Sequence, residues 1–247
     1  MSAPRWKALS RSLRVYHGDK TRNAAMDRLY AQFLAPGDLA FDIGSHVGDR
    51  ISSFRRLGAR VVALEPQPSP ARVIRLIHGR DPNVGLIEAA CGDREGSITL
   101  RINSANPTVS TASSDFVRAA DGAEGWREQV WDEERVVPMT TLDALIARHG
   151  APRFVKIDVE GFEASVLAGL STPLPALSFE FTTIQRDVAY ACLDRLESLG
   201  LHRYNIALGE SQILMRDQFI DRDEIVRVIR ELPHAANSGD VYAVSIR

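Results

Sequence analysis

Hydrophobic positions from Leu39 onward fall into short apolar runs separated by stretches with helical spacing. This alternation predicts strands and helices in turn, which build a parallel sheet covered by helices on both faces. The predicted strands span residues 39–44, 60–66, 84–91, 154–160, 177–183, 201–208 and 239–247. The predicted helices span residues 48–57, 68–80, 142–149, 161–170, 187–199 and 221–232. The fold class is therefore α/β, with a Rossmann-like, doubly wound, mostly parallel seven-stranded sheet.

Three segments fall outside this alternation. Residues 1–36 form a predicted N-terminal helical extension, with a helix at about 24–34, and residues 37–247 form one predicted domain. Within the domain, 97–104 alternates like an edge hairpin strand, whereas 105–135 is polar, acidic and rich in Ser and Thr. We interpret 105–135 as a lid or substrate loop because it contains two tryptophans. A tolerated surface insertion is the alternative.

The composition is that of an ordinary globular protein, and it narrows the range of partners. The chain has 247 residues with 30 Lys+Arg and 32 Asp+Glu, a formal net charge of -2. We therefore expect neither nucleic acid nor a membrane as a partner. No apolar run approaches the roughly 20 residues of a spanning helix, and the Arg-rich start lacks the apolar region of a signal peptide. The two cysteines form no metal-binding cluster, and we expect a cytoplasmic protein.

The strongest local signal is FDIGSHVGD at 41–49, a strand followed by a glycine-containing turn into a helix. Gly44 and Gly48 let the backbone pass close to a ligand, and the N-terminus of the following helix offers free N–H groups. The turn lies at the carboxyl end of the first strand, where open α/β sheets bind ligands. Such a turn occurs in many α/β proteins, so it indicates a ligand only together with other residues.

Glu65 strengthens the case for a nucleoside ligand. It ends the next strand, about twenty residues past the glycines, where a carboxylate accepts both hydroxyls of a ribose. The turn lacks the GxGxxG spacing of a dinucleotide site, and the chain has no Walker lysine. Asp42 precedes Gly44 by two positions, which suits a ligand with a positively charged amine. S-adenosylmethionine, with its ribose and its ammonium group, fits both carboxylates.

Five segments carry a resemblance to a known family: FDIGSHVGD, VVALEPQPSPARVIRL, EAACGDREGSITL, VVPMTTLDALI and FVKIDVEGFEASVLAGL. In that order the chain resembles the FkbM-type family of class I S-adenosylmethionine-dependent methyltransferases. The segments cover about residues 37–183, and KIDVEGFE is the most specific part, since nearly all class I methyltransferases share the glycine turn. The resemblance implies the class I methyltransferase fold with an antiparallel last strand, and S-adenosylmethionine as cofactor.

The resemblance also implies the cofactor contacts. It places the glycine turn against the methionine part, Glu65 on the ribose, Pro66 and Gln67 beside the adenosine, and the turn at 90–93 near the adenine. The resulting cofactor-binding set is Asp42, Gly44, Ser45, His46, Gly48, Glu65, Pro66, Gln67, Ala90, Cys91 and Asp158. The chain departs from the family pattern at 45–47, where SHV stands in place of a small residue, Asn and Ile.

Two carboxylates, Asp158 and Glu160, end the fourth predicted strand. Alternation along a strand places both on the same side, next to the cofactor. Methyl transfer is an in-line displacement, so a positioned base can remove the proton of a hydroxyl acceptor. Close carboxylates can raise one another's pKa, which would make one of them the better base. The alternative is that Glu160 or Glu163 simply caps the next helix.

Glu180 and His46 complete the candidate catalytic set with Asp158 and Glu160. Glu180 is a charge inside an otherwise apolar strand, and a buried carboxylate of that kind usually has a partner or a function. His46 lies in the glycine turn, where it could serve as a base or pack at the mouth of the pocket. The three carboxylates could also form an oxygen-ligand site for a divalent cation, but we assign no metal to the chain.

The sequence thus predicts an enzyme that transfers a methyl group from S-adenosylmethionine to a hydroxyl on a small molecule, sugar or glycan. Oxygen as the acceptor atom comes from the resemblance. One alternative is a nicotinamide-dependent oxidoreductase, which the missing GxGxxG and the absent Tyr/Lys pair disfavour. Another is a catalytically inactive nucleoside-binding protein, which the intact set of Asp42, Glu65 and Asp158 disfavours. The identity of the acceptor and the oligomeric state stay open.

Overall fold

The computed structural model describes residues 18–246, which form eight α-helices and ten strands. The helices are α1 (Lys20–Tyr30), α2 (Asp49–Arg56), α3 (Pro68–His78), α4 (Ser114–Ala120), α5 (Leu142–His149), α6 (Glu163–Ala168), α7 (Arg186–Leu199) and α8 (Arg222–Glu231). The strands are β1 (Leu39–Ile43), β2 (Arg60–Leu64), β3 (Val84–Ile87), β4 (Ala90–Cys91), β5 (Gly96–Ile102), β6 (Glu133–Thr140), β7 (Phe154–Ile157), β8 (Ala176–Thr182), β9 (His202–Leu208) and β10 (Ser238–Ser245).

Seven strands form one sheet in the order β3-β2-β1-β7-β8-β10-β9. The pairs from β3 to β8 are parallel, whereas β10 pairs antiparallel with both β8 and β9. The predicted seven-stranded, mostly parallel sheet with an antiparallel last strand is therefore confirmed. The strand order reverses between β1 and β7, and a crevice opens at the carboxyl ends of strands at such a switch point.

Side chains that alternate along β1 enter two hydrophobic clusters, one on each face of the sheet. Phe41 lies in the cluster with α5 to α8, and Ala40 lies in the cluster with α1 to α3. The buried positions of α7 show the helical spacing that docks such a helix on a sheet. They are Ala189, Cys192, Leu193 and Leu196.

A second sheet, of three strands in the order β4-β6-β5, is not predicted by the sequence. The single predicted strand at 84–91 is wrong: its first part is β3, paired with β2, and its last part is β4, paired in parallel with β6. An apolar run carries no sign of where its partner changes. β6 escapes prediction because only Val137 and Met139 are buried among its residues. The predicted edge strand at 97–104 is confirmed as β5, antiparallel to β6.

The segment 105–135 contains α4 and a short 3-10 helix at Pro107–Val109, so it is more than the polar loop predicted. One tryptophan side chain attaches the segment to a distant part of the chain, and a second makes a hydrogen bond within the segment. Trp126 Nε1 donates a hydrogen bond to Asn237 Oδ1 at 3.1 Å, and Trp131 Nε1 donates to the Val109 carbonyl at 2.9 Å. Its function as a lid stays a prediction.

The predicted N-terminal extension at 1–36 is described only from residue 18 onward, and residues 1–17 lie outside the described residues. Within the described part, α1 begins earlier in the chain than the helix predicted at 24–34. Its Met26 and Tyr30 are buried against the sheet. Every helix in residues 18–246 is too short or too polar to cross a lipid bilayer.

Candidate active site

A pocket opens at the carboxyl ends of β1, β2, β7 and β8, where the strand order reverses. It encloses about 1060 Å³, its open mouth included. Most of the predicted site residues line it: Gly44, His46, Glu65, Pro66, Gln67, Ala90, Cys91, Asp158, Glu160 and Glu180. Asp42, Ser45 and Gly48 lie outside its lining. Tertiary structure thus brings residues in or next to five strands, β1, β2, β4, β7 and β8, into one cavity.

The glycine turn is shaped by close contact between neighbouring strands. The Leu64 carbonyl at the end of β2 accepts hydrogen bonds from the N–H groups of Gly44 and Ser45, at 3.0 and 2.9 Å. Gly44 has a φ of 84°, and a Cβ at this position would lie 1.8 Å from the Asp158 carbonyl oxygen. Glycine is therefore required for the end of β1 to approach the loop after β7.

Glu65 follows β2 directly and connects the glycine turn to the start of α3. Its Oε2 accepts a hydrogen bond from the backbone N–H of His46, and its Oε1 accepts one from the backbone N–H of Gln67, each at 2.8 Å. Glu65 is 2% exposed. Burial raises the pKa of its carboxyl to about 8, although the two N–H donors favour the charged form.

Asp42 lies beneath the pocket rather than in its wall. It is fully buried in β1, and neither of its carboxyl oxygens has a hydrogen-bond partner among the described residues. Burial raises the pKa of Asp42 to about 6, although the charge of Arg50 opposes this shift. Ser45 Oγ donates to the Asp42 carbonyl at 2.8 Å, and Gly48 is the N-cap of α2. These residues shape the turn, and their direct contact with a cofactor stays a prediction.

Gln67 connects the pocket to the segment 105–135. Its Nε2 donates to the Pro107 carbonyl at 3.0 Å, and its Oε1 accepts a hydrogen bond from Ser110 Oγ at 3.1 Å. Thr108 Oγ1 lies 3.5 Å from the Nε2 atom of His46. The segment therefore forms a wall of the pocket and contacts both the glycine turn and the residues after β2.

Ala90 and Cys91 line the pocket as the two residues of β4. They pair with Met139 and Thr140 of β6, so the small second sheet positions them. Cys91 is 2% exposed, and burial raises the pKa of its thiol to about 12. The thiol is therefore an apolar wall of the pocket and not a nucleophile.

Asp158, Glu160 and Glu180 form the carboxylate cluster, in which one oxygen from each residue lies within 4.8 Å of the others. β7 ends at Ile157, so the predicted fourth strand is too long, and strand alternation does not align these residues. The loop turns instead at Glu160, whose φ of 55° is uncommon for a residue other than glycine. The Thr111 hydroxyl donates to the Glu160 carbonyl at 2.6 Å and holds this turn.

The three carboxyls of the cluster differ in charge. Burial disfavours the ionised form of Asp158. The positive charges of Lys156 and Arg50 outweigh this effect and lower the pKa of Asp158 to about 2. Burial, followed by repulsion from Asp158, raises the pKa of Glu160 and of Glu180 well above the usual range. One permanently ionised carboxylate thus lies beside two carboxyls that bind protons tightly.

Sequence reasoning did not find three charged residues at this site, Arg50, Lys156 and Asp240. Arg50 Nη2 lies 2.7 Å from Asp158 Oδ2, and Lys156 Nζ lies 3.4 Å from the same oxygen and 2.5 Å from Asp240 Oδ1. Lys156 is fully buried inside β7. A charge inside an apolar strand is the signal that pointed to Glu180, and the same signal was available for Lys156. No comparable signal marks Arg50 or Asp240.

Glu163 has a structural role in the loop before α6, and this role differs from the helix capping considered for Glu160 or Glu163. Its Oε1 accepts hydrogen bonds from the N–H groups of Val159 and Gly161, at 3.1 and 3.3 Å. These bonds close the loop between β7 and α6, and burial raises the pKa of Glu163 to about 7. Glu160 lines the pocket instead. Glu163 thus closes the loop before α6, and within residues 18–246 no side-chain hydrogen bond caps this helix.

One family model, described as the methyltransferase FkbM domain, matches residues 42–206, more than half of the chain. Among solved structures, a putative O-methyltransferase from Klebsiella pneumoniae is 11% identical over 97% of this chain and 90% of that chain, with a TM-score of 0.47. A precorrin-6Y C5,15-methyltransferase from Geobacter metallireducens is 15% identical over 91% of this chain and 87% of that chain, with a TM-score of 0.45. An O-methyltransferase from Bacillus cereus in complex with SAH is 11% identical over 97% and 91%, with a TM-score of 0.44. No curated protein matches the chain.

Proposed function

Since this chain belongs to the FkbM methyltransferase family, we propose that it methylates a hydroxyl group on a small molecule, sugar or glycan. It is a methyltransferase, and its cofactor is S-adenosylmethionine. The observation that carries the proposal is a single pocket that joins Glu65, after β2, to the carboxylate cluster at β7 and β8. We assign the cofactor to the Glu65 side and the acceptor to the cluster side, with the glycine turn between them.

The Glu65 side fits a ribose. A carboxylate offers about four positions that accept hydrogen bonds, and the two backbone N–H groups occupy one on each oxygen of Glu65. The remaining positions accept the two hydroxyls of the ribose. Leu64, Cys91 and Leu100 provide apolar surface in the same pocket for the adenine.

The charge of the pocket suits the positively charged part of the cofactor, which carries an ammonium and a sulfonium. Asp158 stays ionised, and its backbone packs against Gly44 in the glycine turn. Arg50 and Lys156 balance part of this charge. We therefore assign Asp158 to the methionine part on its position beside the glycine turn as well as on its charge.

The cluster side supplies the groups for the acceptor. When bound, S-adenosylmethionine would supply a methyl group on a positively charged sulfur. The acceptor oxygen would attack the methyl carbon in line with the breaking C–S bond, release S-adenosylhomocysteine and lose its own proton. Glu160 lines the pocket and takes part in no ion pair within residues 18–246. Its raised pKa means that only its ionised form can accept that proton, and that form then binds the proton tightly. Glu180 orients the acceptor from β8, and His46 positions the two ligands from the side of the glycine turn.

The contacts of the segment 105–135 support its assignment as a lid. Through Gln67 it reaches the cofactor side of the pocket. Through Trp126 and Asn237 it reaches the start of β10, whose first residues, Ser238 and Gly239, line the pocket. A segment attached at both sides can cover both ligands and exclude water from them.

Calorimetric titration of the full chain with S-adenosylhomocysteine, with NAD as the comparison ligand, tests the cofactor side. We expect S-adenosylhomocysteine to bind and NAD not to bind. Glu65→Ala should weaken the binding at least tenfold because the hydrogen bonds to both ribose hydroxyls are lost. Glu95→Ala, a change at an exposed glutamate, is the matched control and should have no effect. Binding of NAD alone would reverse the assignment of the cofactor.

A second experiment tests the acceptor. The enzyme is incubated with S-adenosylmethionine labelled in its methyl group and with hydroxyl-bearing sugars and small molecules, and the label is followed into product. Transfer to oxygen that is lost in Glu160→Gln, with S-adenosylhomocysteine binding unchanged, agrees with the proposal. Transfer to nitrogen or carbon alone contradicts it.

A further inference from the structure

One arginine reaches the pocket from the start of α2. Arg50 is the second residue of that helix, and its side chain, 11% exposed, lines the pocket. Within residues 18–246 it is the one lysine or arginine in that lining. The lining also contains several carboxyl side chains, those of Glu65, Asp158, Glu160, Glu180, Glu210 and Asp240. A negatively charged group of a ligand therefore finds a single permanently cationic side chain to pair with.

The cofactor carries such a group. The methionine part of S-adenosylmethionine ends in an ammonium and a carboxylate on the same carbon atom. The carboxyl side chains of the pocket suit the ammonium, but they offer no favourable partner to the carboxylate. A carboxylate that is buried without a partner is costly. The carboxylate of the cofactor therefore requires a place beside Arg50.

The ion pair of Arg50 matches the two charges of an amino acid. Its Nη2 atom lies 2.7 Å from Asp158 Oδ2, so a cation and an anion stand side by side. The backbone of Asp158 packs against Gly44, so this pair adjoins the glycine turn. An amino acid that lies across the pair can place its ammonium on Asp158 and its carboxylate on Arg50. Each charge then lies next to its opposite.

Arg50 has donors left for this second partner. A guanidinium carries five N–H donors in a planar fork. Among the described residues Asp158 is its one ion-pair partner, and no other residue accepts a hydrogen bond from it. Asp158 does not depend on Arg50 alone, because Lys156 Nζ lies 3.4 Å from the same carboxylate oxygen. Arg50 can therefore turn part of its fork to a ligand while Asp158 keeps a cation beside it.

We propose that Arg50 binds the carboxylate of the cofactor's methionine part. This inference rests on the proposed function, which places that part beside Asp158. Arg50 is then a cofactor-binding residue and not only the partner of Asp158. It makes the pocket select S-adenosylmethionine and S-adenosylhomocysteine over adenosine derivatives that lack the carboxylate.

The decarboxylated analogue of S-adenosylhomocysteine, which keeps the amine, isolates the contribution of the carboxylate. In calorimetric titrations of the full chain, S-adenosylhomocysteine should bind at least about tenfold more tightly than this analogue. In Arg50→Met, S-adenosylhomocysteine should lose this advantage, whereas the affinity for the analogue should stay within about twofold of the wild type. Asp158 keeps Lys156 as its partner in this variant, so the site of the amine persists.

Arg55→Met is the matched control. Arg55 lies on the same helix, pairs with Asp81 and is absent from the pocket lining. The affinities of Arg55→Met for both ligands should equal those of the wild type. An equal loss of affinity for S-adenosylhomocysteine in Arg55→Met and Arg50→Met would overturn the inference.

Two other results would overturn it as well. The first is equal affinity of the wild type for the two ligands, a measurement that needs no variant. The second is an equal loss for both ligands in Arg50→Met, because Arg50 would then act only by holding Asp158. Binding of S-adenosylhomocysteine without preference over the analogue rejects the role of Arg50 alone. Absence of any S-adenosylhomocysteine binding by the wild type rejects the proposed cofactor side and, with it, this inference.

Discussion

Replacing Gly44 by alanine tests whether the glycine turn sets the distance between β1 and the loop after β7. The new Cβ would lie 1.8 Å from the Asp158 carbonyl oxygen and 2.9 Å from its carbonyl carbon, whereas ordinary contacts begin at 3.4 Å. Both partners are backbone, so no side chain can rotate away. The end of β1 and the loop after β7 would have to separate.

The cost of Gly44→Ala has three parts. The left-handed backbone, with a φ of 84°, costs an alanine about 1–2 kcal/mol. Separation of the two segments breaks the 2.9 Å hydrogen bond from the Asp158 N–H to the Ile43 carbonyl, worth about 1 kcal/mol. Overpacking in a close-packed region adds about 1–3 kcal/mol. We expect the free energy of unfolding to fall by about 3–6 kcal/mol.

Gly37→Ala is the matched control. Gly37 has a φ of 90°, and nothing lies within 4 Å of a Cβ placed there, so this variant carries the backbone cost alone, about 1–2 kcal/mol. Denaturant titrations measure the loss of stability in both variants, and calorimetry measures their affinity for S-adenosylhomocysteine. Gly44→Ala should also weaken that affinity because it displaces Asp158. Equal losses in the two variants would refute the claim that contact with Asp158 demands glycine.

Three further changes test other parts of the site. Folding raises the pKa of Glu65 from 4.5 to about 8, so the wild-type free energy of unfolding falls as pH rises through that window. Glu65→Gln should reduce the dependence of the free energy of unfolding on pH by up to about 1.4 kcal/mol per pH unit, measured by denaturant titrations. An unchanged dependence would contradict the raised pKa of Glu65. Lys156→Met should cost about 3–5 kcal/mol because it leaves Asp240 without its buried cation. Adding Asp240→Asn should recover part of that loss in the same assay. If no stability is recovered, the loss in Lys156→Met does not come from the broken ion pair with Asp240. Trp126→Phe removes the hydrogen bond to Asn237, at a cost of about 1 kcal/mol, and should speed the release of S-adenosylhomocysteine in stopped-flow experiments. An unchanged release rate would show that the segment 105–135 does not control the release of a ligand from the pocket.

Much of the fold could be predicted because local pattern determines it. The apolar runs that became β1, β2 and β8 are buried almost throughout, and their length and spacing are visible in the chain. Gly44 and Glu65 could be found for a related reason: a glycine after a strand and a carboxylate before a proline are placed by the strands they end. Such features depend on neighbours within a few residues.

Only the tertiary structure decided which distant residues meet. The run at 84–91 divides between two sheets because its partners, β2 and β6, lie far from each other in the chain. Glu160 reaches the pocket through a left-handed turn held by the Thr111 hydroxyl, which strand alternation cannot reveal. Lys156 and Asp240 form an ion pair across 84 positions of sequence. Periodicity reports whether a residue is buried, but its partner depends on how separate elements pack, and that packing sets the charges of the site.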